Sequence, residues 1–309
     1  MTTGENVKLI STLEAWIQQS VFFYPLLLSL ISAAMFYYFF TLLPQKRQKK
    51  NIKDHVIYLT ERILHHMMFI IQDSVNSKIE QSKIRSFPLS ESELKTAMTD
   101  VFMDDQLKHL RSNKDGVPMK VGEAVVGHVH ALQQHAEVLF RYIFHLDTDL
   151  VRLINEGLRN HINESFVNSY NMKPLRVGNT VLAPVRSDVS GYAKSLCEYH
   201  RIYRELEQWL FKNYPNHKAV LRRRYFHYFH DHAQFAKGVR IARKLSNSHE
   251  HKKEATLFMI KGYVAMGKVK KAKALKRKAV RRQLVTETDI KNAFKNDRKF
   301  SSAHYEKIR

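Results

Sequence analysis

The chain has 309 residues, with 51 Lys and Arg against 29 Asp and Glu, for a formal net charge of +22. Ten Gly and seven Pro are few for that length, which argues against a turn-rich β protein and predicts an all-α fold. The single cysteine, Cys197, excludes an intramolecular disulfide and a cysteine-rich zinc site. The cationic surplus attracts acidic partners: nucleic acid, anionic lipid or acidic protein.

Residues 1–20 read as a short extracytoplasmic segment ahead of a transmembrane helix over 21–43. No residue from Val21 to Leu43 is charged. About 23 residues at ~1.5 Å rise cross a hydrocarbon core of roughly 30 Å. A cleavable signal peptide has a shorter apolar stretch behind a basic flank, whereas Glu5, Glu14 and only Lys8 precede this run. Trp16 and Tyr24 near one end, and Tyr37 and Tyr38 near the other, suit the headgroup level. Pro25 falls in the first turn, where its missing N–H costs least. Ser29, Ser32, Ala33 and Ala34 form a small-residue patch that would let two such helices approach, although the spacing is not GxxxG.

The stretch 44–53 reads as a basic linker. Lys46, Arg47, Lys49, Lys50 and Lys53 put the body in the cytoplasm by the positive-inside rule, hence a single-pass protein of the inner or plasma membrane with its N-terminus outside. The same residues would meet anionic lipid at about 1 kcal/mol each, although setting topology is enough to explain them.

Residues 54–172 read as a helical bundle. Asp54 is placed as an N-cap for a helix over 54–81, carrying Val56, Leu59, Ile63, Met67, Ile70 and Ile71 at helical spacing. Phe87-Pro88 breaks the pattern, and Ser90 with Glu93 forms a capping box before Leu94, Met98 and Val101. The run from Asn113 to Pro118 is a turn. A long helix is then expected over 122–172. Val125, Leu132, Leu139, Leu146 and Leu153 fall seven apart, with Val129, Ala136, Ile143 and Leu150 at the offset position. That heptad seam admits a coiled coil pairing two copies through 125–153. Phe140, Tyr142 and Ile154 widen the stripe toward an intramolecular bundle. Between 173 and 190, Pro174, Gly178 and Pro184 interrupt an alternation around Val177, Val181 and Val185, which predicts a loop or short hairpin and a boundary. A helix follows to about Trp209, then a turn over Asn213 to Asn216.

The remainder, 191–309, holds an internal echo. Residues 225–245 superpose on 259–279 with an offset of 34, so that Phe226 matches Ile260, Phe229 matches Tyr263, Phe235 matches Val269 and Ile241 matches Leu275. Tyr263, Gly267 in the turn, and Ala272 and Ala279 at small packing positions resemble the tetratricopeptide repeat over 222–282. Gly238 and Leu245 replace the two alanines in the first unit, and the family's Trp and closing Pro are missing from both. The resemblance implies stacked α-hairpins presenting a protein-binding surface and no catalysis.

From Asn216 to Arg309 there are about 26 Lys and Arg and about 7 acids, so nearly all the net charge lies here. Lys268, Lys270, Lys271, Lys273, Lys276, Arg277, Lys278, Arg281 and Arg282 crowd one helix beside a narrow stripe of Val269, Ala272, Leu275 and Ala279. Arg222, Arg223 and Arg224 form a second cluster ahead of Tyr225, Phe226, Tyr228 and Phe229. A run of one sign calls for a counter-charge. Aromatics among cations can stack on bases, and at helical spacing they equally serve a core.

Of the 17 His, His128, His130 and His135 share the long helix, and His227, His230 and His232 crowd the tail. His227 and His230 have the spacing of a helical metal pair, without an H-E-x-x-H or E-x-x-H motif. Cys197 and His200 are an i, i+3 pair lacking a third group. With no phosphate loop, dinucleotide fingerprint or nucleophile elbow, neither an enzyme nor a cofactor is expected. The leading functional expectation is a membrane-anchored scaffold that docks cytoplasmic proteins, as part of a larger envelope assembly. The alternatives are a membrane-tethered nucleic-acid-binding protein, serving conjugation, DNA uptake or anti-phage defence, and a membrane effector that acts by oligomerising.

Overall fold

The computed structural model describes residues 25–108, 117–171, 175–177, 180–182, 188–295, 297, 300 and 302–308. The regular secondary structure of the described residues is helical apart from a two-stranded hairpin and isolated bridges. Two packed units divide the chain, 1–56 and 57–309. The segment 1–20, the first four residues of the expected span, the turn over 113–116 and the prolines Pro174 and Pro184 lie outside the described residues.

In the first unit, α1 is the helical segment Pro25–Leu42, long and apolar enough to cross a membrane, with none of its residues buried. Its last turn, Tyr38–Leu42, is π-wound. Leu30, Phe36 and Phe40 are each more than 60% exposed. Such a surface is unfavourable in water and favourable in hydrocarbon. Helix α2 (Leu43–Ser74) follows without interruption. The basic stretch is therefore helical instead of a linker, and Asp54 sits in a helix interior instead of at an N-cap. Its neighbours are good helix formers with no Gly or Pro between 45 and 87, so nothing in the backbone stops the helix there.

In the second unit, α2 buries Leu59, Ile63, Met67, Ile70 and Ile71, the face its periodicity predicts. It ends at Ser74, seven residues short of expectation. Asn76 and Ser77 adopt left-handed φ of 43° and 58°, and the Asn76 side chain holds the turn by donating to the Gln106 carbonyl at 3.2 Å and accepting from the Lys108 amide at 2.9 Å. After α3 (Gln81–Ser86), α4 (Glu91–Met98) begins with the expected capping box of Ser90 and Glu93.

The expected long helix is interrupted. Its place is taken by α5 (Val121–Phe140), a 3-10 turn at Ile143–His145, α6 (Thr148–Leu158), a π-turn at Ile162–Phe166 and α7 (Val167–Asn171). Two polar side chains make the breaks. Asp147 caps α6 by accepting from the Asp149 amide at 2.9 Å and from the Trp209 indole at 3.2 Å, and Asn160 accepts from the Ile162 amide at 3.0 Å. Val125, Val129, Leu132, Ala136, Leu139, Leu150 and Leu153 are all buried within the chain. The seam thus packs intramolecularly, and Ile143, at the break, is 45% exposed.

A short hairpin pairs β1 (Leu175–Val177) with β2 (Thr180–Leu182), Leu175 opposite Leu182. Helix α8 (Ala193–Asn213) packs on α4 and α6. Cys197 donates to the Leu89 carbonyl at 3.3 Å, and the His200 ring nitrogen lies 2.6 Å from the Ile84 carbonyl.

The echo becomes two α-hairpins. The first joins α9 (Lys218–Phe226), extended by a π-turn at His227–Asp231, to α10 (Phe235–Leu245). The second joins α11 (Lys252–Ala265) to α12 (Val269–Arg281). Both pairs of helices start 34 residues apart, and so do the left-handed turn residues, Ala233 at φ 53° and Gly267 at φ 70°. The Tyr225 ring stacks on Phe258 at 3.8 Å and on Phe229 at 4.9 Å, tying the hairpins together. A Cβ on Gly262 would overlap the Val239 methyl, so α10 and α11 meet closely because that residue has no side chain. Helices α13 (Glu287–Lys295) and α14 (Ser302–Glu306) complete this core with Ile290, Phe294, Phe300 and Ile308.

Candidate anionic-partner surface

Helix α12 repeats its polar face around a thin apolar stripe. Lys270, Lys271, Arg277, Lys278 and Arg281 are exposed on it, with Lys268 just before and Arg282 just after, while Lys273 is half-buried. None of these eight makes an ion pair among the described residues. Lys276 is a correction to the expected surface. It turns inward with Ala272 and Ala279, one turn to either side, and its ammonium reaches the Ile308 carbonyl at 3.1 Å, Glu287 at 2.9 Å and the Tyr305 ring at 5.5 Å.

The arginine triplet is a second correction. Consecutive residues on a helix point about 100° apart, and the three side chains go separate ways. Arg222 pairs with Glu254 at 2.8 Å and lies 5.9 Å from the Phe226 ring. Arg223 is drawn inside to Glu207 at 3.1 Å and Glu61 at 3.8 Å. Arg224 donates to the Pro215 carbonyl at 3.3 Å and lies over Phe211 at 5.8 Å. No free cationic patch forms there.

Sequence inspection missed the contribution of α10, whose Lys237, Arg240, Arg243 and Lys244 are all exposed. Three of its positions recur after 34 residues: Lys237 with Lys271, Arg243 with Arg277, and Lys244 with Lys278. The same offset that exposed the echo could have found them. Neither α10 nor α12 contains an acid. Apart from Glu287, which meets the inward-turned Lys276, four acids of the array instead neutralise α9 and α11. Lys218 meets Glu250, Arg222 meets Glu254, Lys253 meets Asp289 at 2.9 Å and Lys261 meets Asp297 at 2.7 Å. Charge is thereby sorted by helix, and the second helix of each hairpin keeps an uncompensated positive field.

The aromatics beside the cations belong to the core. Tyr225 and Phe229 are fully buried, and Phe226 and Tyr228 pack partly against them. Tyr225 and Phe229 therefore offer no open stacking platform of the kind single-stranded nucleic acid uses. His227 and His230 do not converge either. His230 faces Asp297 at 3.7 Å, while His227 lies 4.5 Å from the His232 ring, and burial followed by the charge of His232 pushes its pKa down to about 4. Among the described residues no three His, Cys, Asp or Glu side chains gather to hold a metal. Burial also pushes the Cys197 thiol up, the opposite of an activated thiolate.

A histidine cluster does form where it was not expected, between α2 and α5. The Nδ1 atoms of His66 and His128 are 3.0 Å apart, the His135 ring stacks on His66 at 5.3 Å, and His128 Nε2 lies 3.4 Å from Asp73. Burial, then the charges of His128 and His65, push His66 down to about 4. The seven-residue spacing of His128 and His135 puts both on one helix face, a signal the sequence carried.

In the first unit Lys46, Arg47 and Lys53 are exposed on α2, with the Lys46 ammonium 6.0 Å from the Tyr38 ring. Lys49 and Lys50 belong to the same helix, their side chains outside the described set. No protein-family model, no curated protein and no solved structure matches this chain significantly, so the 34-residue period rests on the helix geometry alone.

Proposed function

We propose that the chain is a single-pass membrane protein of the inner or plasma membrane, with its helical body in the cytoplasm, and that it acts as an adaptor docking an acidic protein there. The observation that carries this reading is the sorting of charge in the hairpins: exposed cations that meet no carboxylate among the described residues at matching positions of α10 and α12, while Glu250, Glu254, Asp289 and Asp297 are engaged on α9 and α11. Long-range attraction to such a face speeds encounter and selects for acidic partners. The apolar α1 supplies the anchor, and the basic start of α2 supplies the orientation.

The test is co-isolation from detergent-solubilised membranes, comparing the parent with a Lys271→Glu, Arg277→Glu, Lys278→Glu variant. Loss of an acidic protein from the variant supports the adaptor; an unchanged set of co-isolated proteins refutes it. A second reading, nucleic acid, is favoured by the single sign of this face, which suits phosphate backbones as well. It requires affinity that falls steeply with salt, about one power of salt per phosphate contact. The burial of Tyr225 and Phe229 makes it the lesser reading.

A further inference from the structure

A cleft of about 560 Å³ opens in the second unit between α2, α3, α8 and α9, within the roughly 300–1,000 Å³ of small-ligand sites. Its four wall carboxylates face cations: Glu207 and Glu61 share the half-buried Arg223 at 3.1 Å and 3.8 Å, Asp231 meets Arg85 at 3.5 Å, and Glu250 meets Lys218. Three nitrogen groups keep unfilled capacity. The Arg62 guanidinium donates to the Tyr58 hydroxyl at 3.1 Å and meets no carboxylate among the described residues. Arg85 Nε and His227 Nδ1 are buried without a hydrogen-bond partner.

Buried donors left open are costly unless something fills them, and a guanidinium fork matches the paired oxygens of a phosphate. Two aromatic faces also line the cleft, each with a guanidinium over it, Arg62 on Tyr58 at 5.2 Å and Arg222 on Phe226 at 5.9 Å. A flat heteroaromatic ring suits such a wall.

We propose that this cleft binds a nucleotide, its phosphate held by Arg62, Arg85 and His227 and its base laid against Tyr58 or Phe226. The inference is independent of the cationic outer face of α10 and α12.

The test uses the full chain in detergent micelles, titrated calorimetrically with AMP, ATP and inorganic phosphate. A nucleotide should bind at least tenfold more tightly than phosphate. Arg62→Ala, a change at an exposed side chain, should weaken binding about tenfold or more, the loss of one charge-assisted contact. Lys271→Glu with Lys278→Glu should leave it unchanged. The His227 imidazole, followed by NMR and assigned with His227→Gln, should titrate well above about 4 once an anion sits beside it. Any one of four results overturns the proposal: no nucleotide binding at millimolar concentration, inorganic phosphate binding as well as nucleotide, binding insensitive to Arg62→Ala, or binding abolished by the α12 charge reversals.

Discussion

Acidification from pH 7 to pH 5 should destabilise the second unit through two histidines kept neutral by their surroundings. His66 and His227 titrate near 4 in the folded chain against an ordinary value of 6.5. A depressed histidine contributes stability that is complete above 6.5 and is lost as pH falls from 6.5 toward 4. Between pH 7 and 5 the linkage gives about 2 kcal/mol per ring, or about 1 after halving for the solvent that reaches each. The pair therefore accounts for roughly 2 kcal/mol, a Tm lower by about 4–8 °C for a unit of this size.

His135 and His200 shift in the same direction, and Glu61, raised by burial, opposes them. Glu93 and Asp289, both lowered to about 2, act only below pH 5 and leave this window clean. Differential scanning fluorimetry at both pH values, on the parent and on His66→Asn with His227→Asn, reads the effect. The double variant should lose clearly less Tm on acidification. Equal losses in the two proteins, or a parent that melts higher at pH 5, would refute the assignment.

Three further outcomes follow from single contacts. Arg223→Leu leaves Glu207 buried without its cation and should cost about 3–5 kcal/mol in denaturant unfolding. Gly262→Ala drives a methyl into Val239 and should cost about 1–3 kcal/mol, partly recovered by Val239→Ala. Ile31→Arg puts a charge in the middle of α1 at about 2.5–3.5 kcal/mol for a helix in lipid, so membrane fractionation should show the chain shifted toward the soluble pool.

Local signals in the sequence were dependable where a short motif decides the structure. The Ser90–Glu93 box, the hairpin between 173 and 190 and the turn after Asn213 need only neighbouring residues, and the 34-residue echo is read by comparing the sequence with itself. The misreadings share a different cause. Heptad spacing continues through residues 141–147 because α5 and α6 face one core, so periodicity alone conceals the Asp147 cap and the tryptophan that holds it. Arg223 and Lys276 look like members of surface runs. Their destinations, Glu61, Glu207, Glu287 and the Ile308 carbonyl, are supplied by tertiary packing. The half-buried histidine pair likewise joins residues 62 positions apart.

The Trp209–Asp147 hydrogen bond gives this protein a built-in optical reporter. Trp209 is one of only two tryptophans and lies outside the hairpins, whose aromatic stack is tyrosine and phenylalanine. With Trp16 replaced by Phe, indole emission would track the α6–α8 junction alone, while near-ultraviolet circular dichroism would sum the buried rings of both parts, Trp209, Tyr199 and Tyr203 in α8 and Tyr225 in the hairpins. Coincident melts at the two wavelengths would mean that bundle and hairpins unfold as one cooperative body, and separated melts would give the energy that couples them.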